Sequence, residues 1–203
     1  MNAQYIFICW GNKSDIGKDK VADIIDSFIP TDKIKFNRAF KTPMEQWLNI
    51  PYGSLDDKEF RKQYVVNPVT SAIESKTYDE LMVDAFHHFP NLYPTGENWL
   101  VPGWTKQVIE NNHVRHMTIV DLRNRTELEL LRQLSPKYNM ILLHIVPGER
   151  GVQKTSDTHI RYDDFDFVKH EYTICNKPYV DIEMLTDQVR YVLQNEKLLQ
   201  EQP

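Results

Sequence analysis

The sequence predicts an α/β fold built on a mainly parallel central sheet. Short apolar runs, typical of strands that are buried on both faces, alternate with amphipathic segments of helical periodicity. This alternation is typical of parallel sheets, in which each strand is followed by a crossover helix. No internal repeat, low-complexity segment or linker divides the 203 residues, which are enough for one domain with a full core.

Composition narrows the classes of protein to which the chain can belong. A hydrophobic content of 41% and a charged content of 26% are typical of soluble globular proteins, and no apolar run reaches the roughly 20 residues that a membrane span needs. The stretch MNAQYIFICW lacks the features of a signal peptide, and a net charge of −5 argues against a non-specific nucleic-acid binder. Cys9 and Cys175 stand in apolar segments and are expected to be buried thiols, so we expect a cytoplasmic protein without membrane or nucleic-acid partners.

The first third of the chain contains two predicted strands, each followed by a helix. Tyr5–Trp10 is a continuous apolar run that predicts a buried strand, and the apolar residues from Val21 to Phe28 recur at helical spacing. Lys33–Phe40 is a second strand candidate. Pro43–Ile50 predicts a helix in which Pro43 takes the first position, where a missing N–H costs nothing.

The middle of the chain is less regular. Residues 51–98 mix acidic and aromatic side chains, with a helix predicted at TYDELMVDAFHHF. The segment NWLVPGWTKQVIENN is predicted to be helical towards its end, with an interruption at Pro102 and Gly103. We interpret residues 42–113 as a mostly helical insertion between the second and third strands of a single domain that spans 1–203.

The last part of the chain returns to regular alternation. Strands are predicted at His116–Leu122, at Met140–Val146 and at the short run YTICN. Helices are predicted at RTELELLRQL and over the C-terminal segment IEMLTDQVRYVLQNEKLL. A polar loop from about 147 to 161 separates the last two strands.

The stretch GNKSDIGKDK, directly after the first strand, has nearly the layout of a phosphate-binding P-loop. Such a loop needs a buried strand, backbone N–H groups that face the phosphates, a helix N-terminus and a lysine for the β- and γ-phosphates. The usual pattern has four residues between its glycines, whereas five lie between Gly11 and Gly17. Either one residue is inserted after Gly11, or Asn12 takes the position of the first glycine, since asparagine tolerates the left-handed conformation.

The predicted nucleotide-binding residues of this loop are Gly11, Asn12, Ser14, Asp15, Ile16, Gly17, Lys18, Asp19 and Lys20. The backbone N–H groups of residues 15–19 would form the phosphate cradle. The alternative interpretation is a polar strand-to-helix turn in which Gly17 lies near a helix N-cap.

Several separated stretches resemble one family in order and spacing. Gly17, Lys18 and Asp19 match the G-K-D of its opening motif, and FNRAFK resembles its F-A-D-P-L-K segment. TIVDLRNRTELELL is similar to its D-V-R-F-x-N-E-A-E motif, and SDTHIRYDD and HEYTICNKPY resemble its late D-x-H-x-S-E and D-Y-x-I-x-N segments. On these motifs, which touch most of the chain, the sequence resembles the phage-type deoxynucleoside monophosphate kinases, a branch of the P-loop NMP kinases.

The sequence departs from the family pattern at three places. The loop is one residue longer, Lys20 stands where the family has threonine, and Arg161-Tyr162 replaces the serine and glutamate of the late motif. The substitution at Lys20 bears on how magnesium is coordinated near the helix start, although this lysine also fits the solvated face of a helix.

The resemblance implies a P-loop NTPase-type three-layer sandwich with a helical acceptor-binding insertion. It implies transfer of the γ-phosphoryl group of ATP to a deoxynucleoside monophosphate, with Mg²⁺, in a viral pathway of DNA precursor synthesis. Small-molecule nucleotides would be its partners, and the family analogy favours a homodimer.

The resemblance also implies roles for charged residues around the transferred group. Lys18 would neutralise the β- and γ-phosphates, and Asp19 and Asp121 would hold the metal ion. Arg123 and Arg150 would act with Lys18 in catalysis. Asp121 also fits a helix-capping aspartate at a strand end.

A second set of residues is predicted to bind the acceptor, and the loop at 147–161 to close as a lid over ATP. The predicted acceptor-binding residues are Arg38, Lys41, Arg61, Trp99, Asp121, Arg125 and Arg161. Simpler interpretations are a solvated basic loop for the lid, a surface residue for Arg125 and a core residue for Trp99.

Other kinds of site are not indicated. The histidine pairs His87-His88 and His113 with His116 lack a cysteine or carboxylate that would complete a zinc site. Two rival functions remain from the sequence alone. One is a catalytically inactive P-loop protein that binds a nucleotide or a partner, and the other is a P-loop kinase for another small molecule.

Overall fold

The structure is a computed structural model that describes residues 4–11, 16–88, 100–112, 115–147, 160–176 and 181–199. The strands in this part of the chain are β1 (Tyr5–Trp10), β2 (Thr31–Ile34), β3 (Tyr64–Val66), β4 (Ile73–Thr77), β5 (His116–Ile119), β6 (Asn139–Pro147) and β7 (His170–Asn176). The helices are α1 (Lys18–Phe28), α2 (Arg38–Trp47), α3 (Lys58–Arg61), α4 (Tyr78–His88), α5 (Leu100–Asn111), α6 (Arg125–Leu134) and α7 (Ile182–Asn195).

Five strands form one parallel sheet in the order β2-β5-β1-β6-β7. Strand β1 lies in the middle and pairs with β5 on one side and β6 on the other. Its six residues are almost fully buried, as expected for a central strand with both faces covered. The predicted α/β fold with a mainly parallel sheet is confirmed.

Helices cover both faces of this sheet. Phe7 and Cys9 of β1 pack with residues of α1 and α7 in one hydrophobic cluster. Side chains alternate along a strand, so Trp10 lies on the opposite face, where its ring is 5.1 Å from that of Phe165. Within the sheet, the connection from β1 leads to β2 in one direction, and the connection from β5 leads to β6 in the opposite direction. Right-handed crossovers therefore place α1 and α6 on opposite faces.

The two cysteines differ in their environment. Cys9 is buried, and its burial raises the pKa of the thiol to about 12, so it remains a protonated core residue. Cys175 is exposed, which corrects the prediction that both thiols are buried. It lies in β7, which is an edge strand among the strands that the structure describes, and an apolar sequence context does not reveal the position of a strand in its sheet.

Three predicted elements are corrected by the structure. The second strand spans Thr31–Ile34 and does not extend to Phe40, because the chain becomes helical at Arg38. Pro43 lies inside α2 and not at its first position. Pro102 and Gly103 do not interrupt α5, since a proline in the first turn of a helix removes no intrahelical hydrogen bond.

The chain divides into two compact units, residues 1–35 with 106–203 and residues 36–105. The second unit contains helices and the antiparallel hairpin of β3 and β4, which the sequence pattern did not indicate. Its core is formed by Met44, Leu55, Val65 and Tyr78. This unit overlaps the predicted insertion at 42–113, whose acceptor-binding role stays a prediction. Within the described ranges, no helix has the length and apolar character of a membrane span.

Candidate functional site

The carboxyl ends of β1 and β5 lie side by side at the point where the connections of the sheet change direction. Ile8 of β1 pairs with Ile119 of β5, and the two strands are followed by Gly11 and Asp121. In open parallel sheets, ligands bind at the carboxyl ends of the strands at such a switch point. The first unit therefore has its candidate site at this edge.

Gly11 is required because the chain turns directly against the sheet. A Cβ atom at position 11 would lie 2.2 Å from Cδ1 of Ile16 and 2.5 Å from the carbonyl oxygen of Ile145. The second contact is with backbone of β6, which cannot move away as a flexible side chain does. Any larger residue would displace the loop from β6.

Gly17 is required for two separate reasons. It is the N-cap of α1 in the left-handed conformation, with φ of 91°, which residues with a Cβ rarely adopt. In addition, a Cβ there would lie 2.2 Å from Nδ2 of Asn176. That Nδ2 donates a hydrogen bond of 2.7 Å to the carbonyl oxygen of Ile16. Asn176 was not predicted as a site residue, although the Asn of the late D-Y-x-I-x-N segment was a signal that could have found it.

The first turn of α1 carries three charged side chains. Lys18 is half-buried and directly follows Gly17, where a lysine can meet an anion held by the helix N-terminus. Asp19 is exposed, and its Oδ1 lies 3.0 Å from Nζ of Lys35 and 3.7 Å from Nζ of Lys33. Lys20 is exposed. The metal-binding role of Asp19 stays a prediction, and a metal ion there would have to compete with two lysines.

Asp121 is half-buried beyond the end of β5, and its charge acts on the buried carboxylate of Glu127, which matches the family motif but was not predicted as a site residue. Glu127 accepts hydrogen bonds from the backbone N–H groups of Arg123 at 2.8 Å and Asn124 at 3.0 Å. Burial raises the pKa of Glu127 to about 7, and the charge of Asp121 contributes in the same direction. Glu127 thus fixes the turn that carries Arg123. The spacing of Asn124 and Glu127 is that of a helix capping box, which was the available signal.

Three predicted arginines of the first unit are exposed: Arg123, Arg125 and Arg161. Arg125 is the first residue of α6, and the backbone N–H of Arg161 donates to Asp164 at 2.8 Å. Their predicted roles towards phosphate stay predictions.

Arg38, predicted to bind the acceptor, lies inside the second unit. Its Nη2 is 2.7 Å from Oε2 of Glu45, and its Nη1 is 3.1 Å from Oε1 of the same carboxylate. Burial opposes the charge of both groups, yet the hydrogen bonds between them raise the pKa of Arg38 and lower that of Glu45. Tyr52 covers the guanidinium, with 4.2 Å between Cζ and the ring centre.

The other predicted acceptor residues of this unit also meet carboxylates. Nζ of Lys41 is 2.6 Å from Oδ1 of Asp56, whose Oδ2 is 3.3 Å from Nη1 of Arg38. Arg61 pairs with Asp79 at 2.7 Å. The acceptor-binding roles of Arg38, Lys41 and Arg61 stay predictions. Their charges are compensated within the unit, which the sequence pattern did not indicate.

The remaining predicted site residues, Asn12, Ser14, Asp15, Trp99 and Arg150, lie outside the described residues, as does most of the predicted lid at 147–161. The described residues contain no group of three or more histidine, cysteine or carboxylate side chains that could hold a metal ion.

The residues present fit a nucleotide and a magnesium ion. The first turn of α1, like that of any α-helix, presents backbone N–H groups at its N-terminus, and Lys18 supplies a positive charge beside them. Mg²⁺ is typically held by one or two carboxylates together with substrate phosphates and water. Asp121 fits that sparse ligand set.

Comparisons with known proteins assign neither a family nor an activity. No protein-family model matches the sequence, and no curated protein matches it. Among solved structures, the chain is similar to a sugar kinase from Janibacter sp. HTCC2649, with 12% identity over 95% of this chain and 93% of that chain and a TM-score of 0.40. It is also similar to a gluconokinase from Sinorhizobium meliloti 1021, with 9% identity over 97% and 96% of the two chains and a TM-score of 0.38.

Proposed function

We propose that the protein is an ATP-dependent kinase that phosphorylates a deoxynucleoside monophosphate to the diphosphate. The observation that carries the proposal is that α1 begins at Lys18 with Gly17 as its N-cap, in the connection that follows the central strand β1, and that β1 pairs with β5, the strand that precedes Asp121. Parallel α/β proteins commonly bind phosphate groups at a helix N-terminus that follows a strand at such a switch point, and this similarity supports the proposal.

Phosphoryl transfer from ATP does not require the protein to form a covalent bond with the substrate. Phosphoryl transfer depends on holding the donor and acceptor in line and on placing positive charge around the group in transit. In this proposal, the N–H groups at the start of α1 and the Lys18 ammonium bind the triphosphate. Asp121 would hold a magnesium ion, which would supply positive charge to the phosphate oxygens.

The acceptor class rests on the resemblance to the phage-type kinases. The motifs around Gly17–Asp19, Asp121 and Asn176 occur in the family order. They favour a deoxynucleoside monophosphate as acceptor and a cytoplasmic role in the supply of DNA precursors.

A specific observation favours a second candidate, a P-loop kinase for another small molecule such as a nucleoside or a coenzyme precursor. The Arg38 and Lys41 cations predicted to bind an acceptor phosphate are compensated by Glu45 and Asp56. An uncharged hydroxyl acceptor would leave these ion pairs in place, whereas a monophosphate that used them would have to displace a carboxylate.

An acceptor panel separates the candidates. The purified protein is incubated with ATP and Mg²⁺ together with each deoxynucleoside monophosphate or each nucleoside, and release of ADP is measured. We expect turnover with at least one monophosphate and a loss of at least about 100-fold in Lys18→Ala, because one positioned cation at the transferring phosphate contributes several kcal/mol. Lys137→Ala is the matched control, since Lys137 is exposed before the amino end of β6, away from the loop.

The other outcomes assign the alternatives. Turnover with nucleosides alone would support the second candidate. ATP binding without ADP release across the whole panel would contradict both a deoxynucleoside monophosphate kinase and a nucleoside kinase, and it would support an inactive nucleotide-binding protein.

A further inference from the structure

We infer that Asn176 is a positioning residue of the nucleotide-binding loop, an inference that rests on the proposed function. Asn176 is the last residue of β7 and is separated from β1 in the sheet by β6. Its side chain nevertheless reaches the loop and donates a hydrogen bond of 2.7 Å to the carbonyl oxygen of Ile16. The two residues are 160 positions apart in the chain.

Gly11 and Gly17, the two glycines of the loop, each lie in close contact with a different strand of the sheet. At Gly11 it contacts the carbonyl of Ile145 in β6, and at Gly17 it contacts the side-chain amide of Asn176 in β7. Both contacts are so close that a Cβ atom on either glycine would overlap its neighbour. The absence of a side chain at Gly17 is therefore what allows Asn176 to reach the backbone.

The hydrogen bond fixes the direction of the backbone N–H of Gly17, which belongs to the predicted phosphate cradle. The C=O and N–H of a trans peptide point in opposite directions in one plane. Because Asn176 holds the carbonyl of Ile16, it also holds the N–H of Gly17, the residue directly before Lys18. A glycine with a left-handed φ has wide conformational freedom, so this peptide needs an external contact to keep a single orientation.

Loss of that contact should weaken nucleotide binding and have little effect on the stability of the sheet. The Ile16–Gly17 peptide would be free to rotate before binding, and the nucleotide would then have to order it. The interaction energy of one hydrogen bond to the backbone predicts about tenfold weaker binding.

The chain offers a matched control on the same strand. Gln188 of α7 accepts a hydrogen bond from the backbone N–H of Cys175 at 2.8 Å and donates one to its carbonyl at 3.1 Å. It is, like Asn176, a side-chain amide that binds backbone at the end of β7, but its partner is Cys175 on β7 itself, whereas the partner of Asn176 is Ile16. A general loosening of β7 would therefore be reproduced by Gln188→Ala.

The experiment measures the dissociation constant of Mg²⁺-ATP by calorimetry, together with the thermal unfolding midpoint, for the wild type and three variants. We expect about tenfold weaker binding in Asn176→Ala and weaker binding still in Asn176→Asp, which keeps the size of the side chain but turns a carboxylate towards the Ile16 carbonyl. Gln188→Ala should bind Mg²⁺-ATP as the wild type does, with a similar or larger loss of thermal stability.

The possible failures are distinguishable. Unchanged binding in both Asn176 variants, or equal weakening in Gln188→Ala, would overturn the positioning role and leave the proposed function intact. A wild-type protein that does not bind Mg²⁺-ATP would overturn the proposed function and this inference with it. With an active acceptor, the KM for ATP should rise in Asn176→Ala while the KM for the acceptor stays unchanged, and equal rises in both would also contradict the inference.

Discussion

Arg38 and Glu45 form a two-point ion pair in the interior of the second unit, with N–O distances of 2.7 and 3.1 Å. Seven positions apart on α2, they face the same side of the helix, and their side chains are 7% and 2% exposed. Glu45 also accepts hydrogen bonds from the backbone N–H groups of Gly53 and Leu55. The pair thus joins α2 to the turn that follows it.

Removal of one partner of this pair should destabilise the protein strongly. Arg38→Ala leaves the Glu45 carboxylate buried without its main counter-ion, and such changes typically cost about 3–5 kcal/mol of the free energy of unfolding. Urea denaturation measures the loss. The exposed pair of Lys62 and Glu59 is the control, and Lys62→Ala should change the free energy of unfolding by less than about 1 kcal/mol. Similar small losses for the two variants would contradict a structural role for Arg38.

The same pair predicts a loss of stability in acid. The pKa of Glu45 is lower in the folded protein than its ordinary value of 4.5, so its stabilising contribution is present above pH 4.5 and is lost as pH falls through the folded pKa. Urea denaturation at a series of pH values below neutrality should show this loss. In Glu45→Gln the fall below pH 4.5 should be smaller, and an identical pH profile in both proteins would exclude Glu45 as its source.

The raised pKa of Glu127 predicts that its contribution to the free energy of unfolding falls as pH rises, opposite to the trend expected from Glu45. Burial raises its pKa in the folded protein to about 7, so the folded state binds its proton more tightly than the unfolded state does. The stability that it contributes is full below its ordinary pKa of 4.5 and is lost as pH rises through about 7. Relative to Glu127→Gln, the wild type should lose on the order of 3 kcal/mol between these pH values. A difference that is independent of pH would contradict the raised pKa.

Gly17 and Asn176 should show strong coupling in a double-mutant cycle. Gly17→Ala places a Cβ where Nδ2 of Asn176 lies, at 2.2 Å, and also strains a left-handed backbone. Asn176→Ala removes the overlap with Nδ2 but leaves the backbone strain. Gly17→Ala should therefore cost about 1 kcal/mol less of the free energy of unfolding when Asn176 is already alanine, which is within the range for residues in contact.

Additive effects at the two positions would show that the loop moves away from Asn176 without cost. A cycle between Gly17 and Gln188 is the control, since the side-chain amide of Gln188 binds the backbone of Cys175, and the cycle should be additive.

The sequence by itself determined the elements whose evidence is local. β1 was predicted with its observed bounds because a central strand is apolar throughout. α6 was also predicted with its observed bounds, because its helical periodicity and the signals for its first and last residues indicate the same segment. The loop between β1 and α1 was also recognisable, since Gly11, Gly17 and Lys18 lie close together in the chain. The alternation of these elements was enough for the parallel α/β sheet.

The tertiary structure decided whatever depends on residues that are distant in sequence. The start of α2 at Arg38 is stabilised by Glu45 and Asp56, and no short window of sequence shows which carboxylates will compensate a given arginine. The exposure of Cys175 follows from the position of β7 at the edge of the sheet, which its own residues do not encode. The contact of Asn176 with Ile16 exists only because β7 ends near the loop, and two residues 160 positions apart have no local pattern in common. Sequence patterns indicate periodicity and turns along the chain. The partner of a charged or amide side chain depends instead on which segments of the chain the fold brings together.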